Sequence, residues 1–344
     1  VTPGRPGWRD LLRPVSRSFY LSLRVLPAAL REPVSLAYLL ARTTDTIADA
    51  GSSLDRREIL ARVLRAIGGG PDEVSPDLAR LVPRQDAESR LLASFPVLLR
   101  ELERQETPDR GRIRQVLATI GSGQDLDLAR FGGAASGSPG CLETEADLED
   151  YTYRVAGCVG EFWTHLSVDH GLVPVRSRES LLEAGVALGK GLQLVNILRD
   201  LPADLRAGRC YLPRQVLEAA GVAPEGLLED GGGAAGLGIF RRYLLHAGRL
   251  LGEGARYPEL LPYRPFSLRL APTWPLRLGF RTLELLNASG VPAGRKAVKV
   301  RRGEVRRLLL LSILLVPLPA LYRKLFRIPA FLADPGKAEA SASR

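Results

Sequence analysis

Two carboxylates and a guanidinium on one line of an otherwise apolar stretch restrict this chain more than any other feature. In Tyr38-Leu39-Leu40-Ala41-Arg42-Thr43-Thr44-Asp45-Thr46-Ile47-Ala48-Asp49, the residues Tyr38, Arg42, Asp45 and Asp49 are spaced i, i+4, i+7 and i+11. On an α-helix that spacing is one narrow stripe. Leu36, Leu39, Leu40 and Ile47 cover the remaining circumference, Pro33 suits a first helical turn, and Ala50-Gly51-Ser52-Ser53 supplies a stop. A helix apolar on most sides is a buried one, and buried carboxylates are costly unless paired or bound to cations. Taken alone, the stripe is also what a solvated face with an Arg42–Asp45 ion pair looks like.

A second stretch, Gly185 to Asp204, narrows the choice. It is again largely apolar, with Gly189, Gln193, Asn196 and Asp200 on one side of a helix. Glycines inside a helix cost roughly 1 kcal/mol each against alanine, so Gly185, Gly189 and Gly191 predict a neighbour or ligand at close range. Asp204 repeats the four-residue spacing, but Pro202 lies between the aspartates. Proline removes a backbone donor and is expected to kink or end the helix, turning Asp204 aside. Facing each other across a bundle, the two stripes would hold Mg²⁺ ions, which prefer carboxylate oxygens and substrate phosphates. The metals would clamp a diphosphate and the apolar walls a hydrocarbon tail. The matching chemistry is Lewis-acid-assisted loss of diphosphate from an allylic carbon.

Five elements in order resemble the squalene and phytoene synthase family. They are Ser16-Arg17-Ser18-Phe19; Arg42-x-x-Asp45-Thr46-x-x-Asp49; Tyr151-x-x-x-Val155-Ala156-Gly157-x-Val159-Gly160; Asn196-Ile197-x-Arg199-Asp200-x-x-x-Asp204; and Gly208-Arg209-x-x-x-Pro213. The resemblance implies an all-α isoprenoid-synthase (class I terpenoid synthase) bundle with a central cavity. Its closest pattern is the squalene-forming branch, a farnesyltransferase that joins two farnesyl diphosphates through presqualene diphosphate and reduces the product with NADPH.

By that resemblance, Asp45, Asp49, Asp200 and Asp204 hold Mg²⁺, with Mn²⁺ as a substitute, and Tyr151 handles a proton. Ser16, Arg17, Phe19, Tyr38, Arg42, Gln193, Asn196 and Arg209 contact substrate. The cofactor phosphates fall to Arg17, Arg42, Arg199, Lys299 and Arg301, since the basic run from Lys296 to Gly303 resembles the family's nicotinamide-proximal segment. One position departs: where eukaryotic squalene synthases carry an extra acid in the first motif, this chain has Ala48. A phytoene- or dehydrosqualene-type enzyme without reductant, and an enzyme stopping at presqualene diphosphate or hydroxysqualene, share the same motifs. A non-catalytic lipid-binding relative is a reading of another class, and the intact aspartates argue against it.

The rest of the chain sets the context. Its 344 residues, 45% of them hydrophobic, are ample for a packed core, and no linker-like break separates the acidic motifs. One domain over residues 1–333 is expected, with a disordered tail over 334–344. No alternation of period two persists, which favours helices throughout. Net charge is +10, yet the aromatic-interleaved basic repeats of a nucleic-acid module are missing, so a phosphorylated substrate or anionic lipid fits better. Cys141, Cys158 and Cys210 have no metal spacing and suit a reducing compartment. Val1–Pro14 lacks a signal-peptide pattern, which leads to the expectation of a cytoplasmic protein, and a monomer is expected. Near the end, the apolar run Leu308–Pro317 is too short to span a bilayer, and Arg323, Lys324 and Arg327 follow it. Residues 308–328 therefore read as a core helix or as a peripheral contact with anionic lipid.

Overall fold

The structure is a computed structural model, and it describes residues 7–16, 19–50, 55–74, 77–78, 81, 86–132, 139–229, 233–290, 298–316, 318, 322, 329 and 332. The expected tail 334–344 lies outside these, as do Arg17 and residues 323–328. In chain order the helices are α1 (Leu12–Ser16), α2 (Phe19–Val25), α3 (Ala28–Ala48), α4 (Arg56–Ile67), α5 (Ala87–Ala93), α6 (Phe95–Arg104) and α7 (Thr107–Phe131). A short strand β1 (Gly140–Leu142) precedes α8 (Glu145–Thr152), a π-helical turn (Tyr153–Gly157), α9 (Cys158–Asp169) and α10 (Arg178–Arg206). Strand β2 (Arg209–Pro213) leads into α11 (Arg214–Ala219), α12 (Gly226–Glu229), α13 (Gly233–Gly254), α14 (Arg256–Leu260), α15 (Phe266–Ser289) and α16 (Arg302–Leu315). The expectation of a helical protein holds. The only pairing among the described residues is β1 with β2, parallel, with Cys141 opposite Cys210.

Contacts group the chain into two compact units, Val1–Gly132 with Glu161–Arg178, and Gly133–Gly160 with Glu179–Arg344. In the first, α3 is the central helix and packs against α4, α5, α6 and α7. Leu36, Leu39, Leu40 and Ile47 are fully buried there with Leu98, Leu102 and Ile113. Local signals place the helix starts. Asp55 caps α4 by accepting from the amides of Arg57 (3.0 Å) and Glu58 (3.2 Å), and Asp86 caps α5 through Ser89 (2.9 Å).

In the second unit, α13 packs on α15, and α15 on α16. Thr144 and Asp147 form a reciprocal capping box at the start of α8. Length and composition alone would let Val175–Arg206 cross a membrane, but 56% of its most apolar window is buried inside the protein, as in a core helix.

Proline is where local rules mislead. Helix α3 begins at Ala28, so Pro33 sits inside it and not in its first turn. Helix α10 runs through Pro202 to Arg206 without ending. Helix α15 passes through Pro272 and Pro275. Each proline forfeits one backbone hydrogen bond at a cost of about 3 kcal/mol. Burial of flanking residues offsets it: Leu198, Leu201 and Leu205 around Pro202, and Leu268, Ala271 and Leu276 around the α15 pair, are all buried. Likewise the glycine-rich stretch Gly233–Gly238 is the first part of α13.

Candidate active site

From Pro33 to Ala50 the residues that are not buried are Tyr38, Ala41, Arg42, Asp45, Ala48 and Asp49. The four residues of the predicted stripe are all among them, and the other two, Ala41 and Ala48, are small residues beside that line. The polar residues on the buried side are self-satisfied: Thr43, Thr44 and Thr46 donate their hydroxyls to the carbonyls of Leu39 (2.9 Å), Ala41 (2.8 Å) and Arg42 (2.8 Å).

Arg42 works as a fork. One terminal nitrogen donates to Asp45 and the other to Glu88 Oε1 on α5 at 2.6 Å, while its Nε is buried without a partner. Loss of solvent pushes the Asp45 carboxyl above the usual carboxylate value, the charge of Asp49 pushes it further, and Arg42 opposes both. The Asp45 side chain still keeps 45% of its exposure, so the shift reflects crowding and not full enclosure. Asp49 is exposed at the C-terminal cap of α3. A carboxylate at the negative end of a helix, one turn from another carboxylate, is a placement that a bound cation stabilises.

The N-terminal element docks at the other end of the stripe. Phe19 stacks on Tyr38 (centroids 5.4 Å apart) and lies tilted against Trp163 (6.4 Å). The Tyr38 hydroxyl donates to the Val15 carbonyl at 3.3 Å. Ser16 is buried and donates its hydroxyl to the Leu12 carbonyl.

On α10, Gly189, Gln193, Asn196, Arg199 and Asp200 are half-buried, and Leu194, Val195, Ile197 and Leu198 are buried. Asn196 Nδ2 donates to Gln193 Oε1 at 3.5 Å. Arg199 donates to both Asp200 oxygens, through Nε at 2.8 Å, and that bond raises the Arg199 pKa. The expectation that Pro202 diverts Asp204 is corrected: the helix is continuous, and Asp204 stays four residues from Asp200 on it. Arg209 Nη2 donates to Asp204 Oδ1 at 3.0 Å, and the Asp204 side chain is 15% exposed against 44% for Asp200.

The glycines of α10 serve a neighbouring backbone. A Cβ on Gly189 would lie 2.2 Å from the Ala156 carbonyl oxygen, and one on Gly160 would lie 2.1 Å from that of Gly185. The small residues of the tyrosine motif and the glycines of the second acidic helix are thus two halves of one close main-chain contact. Tyr151 ends α8 just before the π-helical turn that carries Val155-Ala156-Gly157; such turns recur at functional sites. Its ring is buried and stacks on Tyr211 of β2, with centroids 4.8 Å apart.

Three residues in these networks escape the sequence reading. Glu88 has no spacing that links it to Arg42. Tyr211 sits within Gly208-Arg209-x-x-x-Pro213, at a position the motif leaves open. Glu149, two residues before Tyr151, pairs with Lys190 of α10 and with His246 at 3.0 Å. Of the cofactor candidates, Lys299 and Arg301 are exposed in the non-helical lead into α16, and Arg199 is engaged by Asp200.

Among the described residues no three His, Cys, Asp or Glu side chains cluster as a ready metal site. The donor chemistry nevertheless suits Mg²⁺, which takes one or two carboxylates and completes its shell with water and substrate phosphate. Asp45, Asp200 and Asp204 are each held by an arginine, a partner that also matches phosphate.

Comparison with known proteins gives the family and the fold. Presqualene diphosphate synthase of Zymomonas mobilis is 33% identical over 209 residues, 60% of each chain. The bifunctional lycopene cyclase/phytoene synthase of Gibberella fujikuroi is 31% identical over 222 residues, 64% of this chain. This chain spans only 37% of that relative's length. The solved structure of TcSQS with the ligand E5700 superposes with a TM-score of 0.72 at 22% identity, covering 97% of both chains, and establishes the all-α isoprenoid-synthase fold. The model of the squalene/phytoene synthase family matches residues 12–304, a span that contains both acidic helices, the tyrosine motif and the Arg209 segment, and the chain belongs to that family.

Proposed function

We propose that this chain is a prenyltransferase that condenses two farnesyl diphosphates head to head into presqualene diphosphate and reduces it to squalene. The observation that carries the reading is the α3 stripe: Tyr38, Arg42, Asp45 and Asp49 emerge along one line, and from Pro33 to Ala50 only Ala41 and Ala48 beside them are also unburied. Asp45 and Asp49, with Asp200 and Asp204, would hold Mg²⁺, and Mg²⁺ so held would supply Lewis-acid assistance to diphosphate departure. NADPH, met by Lys299, Arg301 and Arg199, would supply the hydride for the final reduction.

The chain's own groups do the rest. The unpartnered Arg42 Nε and the guanidinium fork are donors for diphosphate oxygens. The buried Tyr151, fixed by its stack on Tyr211, offers a hydroxyl for proton transfer where water is scarce. A second reading, in which the reaction ends at presqualene diphosphate, draws on the solvent exposure of Lys299 and Arg301 and on the likeness to the Zymomonas mobilis protein.

The test is product analysis from farnesyl diphosphate with Mg²⁺, with and without NADPH. Squalene with the reductant and presqualene diphosphate without it is the expected result. Presqualene diphosphate under both conditions selects the second reading, and no diphosphate release under either sinks both. Tyr151→Phe keeps the ring's packing, so it is expected to retain diphosphate binding and lose product. Wild-type turnover in that variant would return Tyr151 to a purely structural place.

A further inference from the structure

Helix α16 is built inside out. At about 100° per residue, its exposed positions Arg302, Arg306, Arg307, Leu310, Ile313 and Leu314 fall on one half of the circumference. Ser312, the one polar residue from Leu308 to Val316, is 1% exposed and donates to the Leu308 carbonyl at 2.7 Å. Leu310 and Leu314 are 62% and 66% exposed. A helix docked on a water-soluble core has the opposite order. Ile313 and Leu318, at 48% each, and Leu311 extend the surface, so five of the nine exposed large apolar side chains among the described residues lie within this one segment. Scattered apolar residues need no explanation, but a contiguous patch marks an interaction site.

The charges around it are one-sided. Lys299, Arg301, Arg302, Arg306 and Arg307 are all exposed. The only acid from Val298 to Leu318 is Glu304, and it accepts from Arg281 on α15, which neutralises it. With 14 residues, α16 is about 21 Å long, short of the roughly 30 Å hydrocarbon layer. It can lie along a bilayer surface but cannot cross it.

We infer that α16 is a monotopic docking face for a membrane rich in anionic lipid headgroups. The leucines enter the boundary between headgroups and acyl chains, and the three exposed arginines of α16 itself, Arg302, Arg306 and Arg307, meet lipid phosphates. Charge selects this occupant. A second copy seated face to face would bring the same five cations against one another, in a chain whose net charge is already +10.

The experiment is co-sedimentation of the full chain, free of detergent, with vesicles of phosphatidylcholine alone or mixed with phosphatidylglycerol, over a series of salt concentrations. Binding to the anionic vesicles is expected to exceed binding to neutral ones by about 100-fold, at roughly fivefold per cation engaged, and to weaken as salt rises. Leu310→Ser with Leu314→Ser is expected to lose about 100-fold, and Arg306→Ala with Arg307→Ala about 25-fold on anionic vesicles only. Circular dichroism checks that each variant is folded. Should the leucine pair fail that check, the arginine pair and the salt series decide. Equal affinity for both vesicle types, or no binding to either, overturns the inference. Self-association in sedimentation velocity that the leucine pair abolishes, without vesicle binding, overturns it in favour of a second copy.

Discussion

Helices α3 and α10 each carry two aspartates four residues apart, and the protein holds them by different means. On α3 the agents are side chains. Arg42 reaches Asp45 on its own helix and Glu88 on another, while Phe19, Tyr38 and Trp163 fix the opposite end of the stripe by ring contacts. On α10 the agent is the main chain. Gly189 meets the Ala156 carbonyl and Gly185 meets Gly160, at distances that leave no room for a Cβ. Each α10 aspartate then takes an arginine near it in sequence, Arg199 for Asp200 and Arg209 for Asp204. The same acidic spacing is therefore sensitive to lost charge on one helix and to added bulk on the other.

Breaking both helices at the carboxylate gives the largest expected effect. Asp45→Asn or Asp200→Asn is expected to lower diphosphate release from farnesyl diphosphate by at least about 100-fold, since even a supporting partner of a metal ligand is worth 10- to 100-fold. Near-normal turnover at saturating Mg²⁺ in either variant removes that helix from the site.

Added bulk separates the two helices. Gly160→Ala places a Cβ against the backbone of Gly185, and overpacking of this kind costs about 1–3 kcal/mol, less the roughly 1 kcal/mol by which alanine improves helix propensity. A lowered melting temperature is expected, and an unchanged or raised one would show that the main-chain contact can yield.

On α3, Glu88→Gln removes one prong of the Arg42 fork without removing a carboxylate from the motif. About a tenfold loss of turnover is expected, as for an outer partner that orients a ligand, with stability within about 0.5 kcal/mol of the parent. A loss as large as that of Asp45→Asn would instead make Glu88 a direct ligand, replacing the acid absent at Ala48.

The smallest effect is on stability against pH. The folded Asp45 carboxyl is raised by burial and by Asp49, against the pull of Arg42 and with Glu88 adding to the rise. A raised carboxyl binds more protons folded than unfolded, so its ionisation lowers stability as pH climbs through the raised value. Asp45→Asn is thus expected to melt slightly higher than the parent at pH 7, an advantage that shrinks toward about pH 4, near the ordinary carboxylate range. Thermal melts of both proteins across that interval check the sign. A variant less stable at pH 7 would mean that the Arg42 pairing outweighs the crowding.

The two stripes differ in how much of them sequence alone discloses. Tyr38, Arg42, Asp45 and Asp49 are legible because helical periodicity is a local property, and the structure leaves that line unburied. Gly185 and Gly189 are legible only as a demand for a close neighbour. That the neighbour is the backbone at Ala156 and Gly160, and not a ligand, depends on a pairing of segments about thirty residues apart in the chain.

What the sequence determined by itself is thus the two acidic helices, the line of polar residues on each, and the family, because each follows from spacing within one segment or from motifs in order. Tertiary structure decided the rest. It carried α10 through Pro202, so that Asp200 and Asp204 share one continuous helix, and likewise α3 through Pro33 and α15 through Pro272 and Pro275. It brought Glu88 to Arg42 and Tyr211 to Tyr151. It also turned the leucines of α16 outward and Ser312 inward. The physical reason is common to all of these. A proline's lost hydrogen bond, a distant carboxylate or the hidden side of a helix is weighed against surface buried on other segments, and that term has no signature within the segment itself.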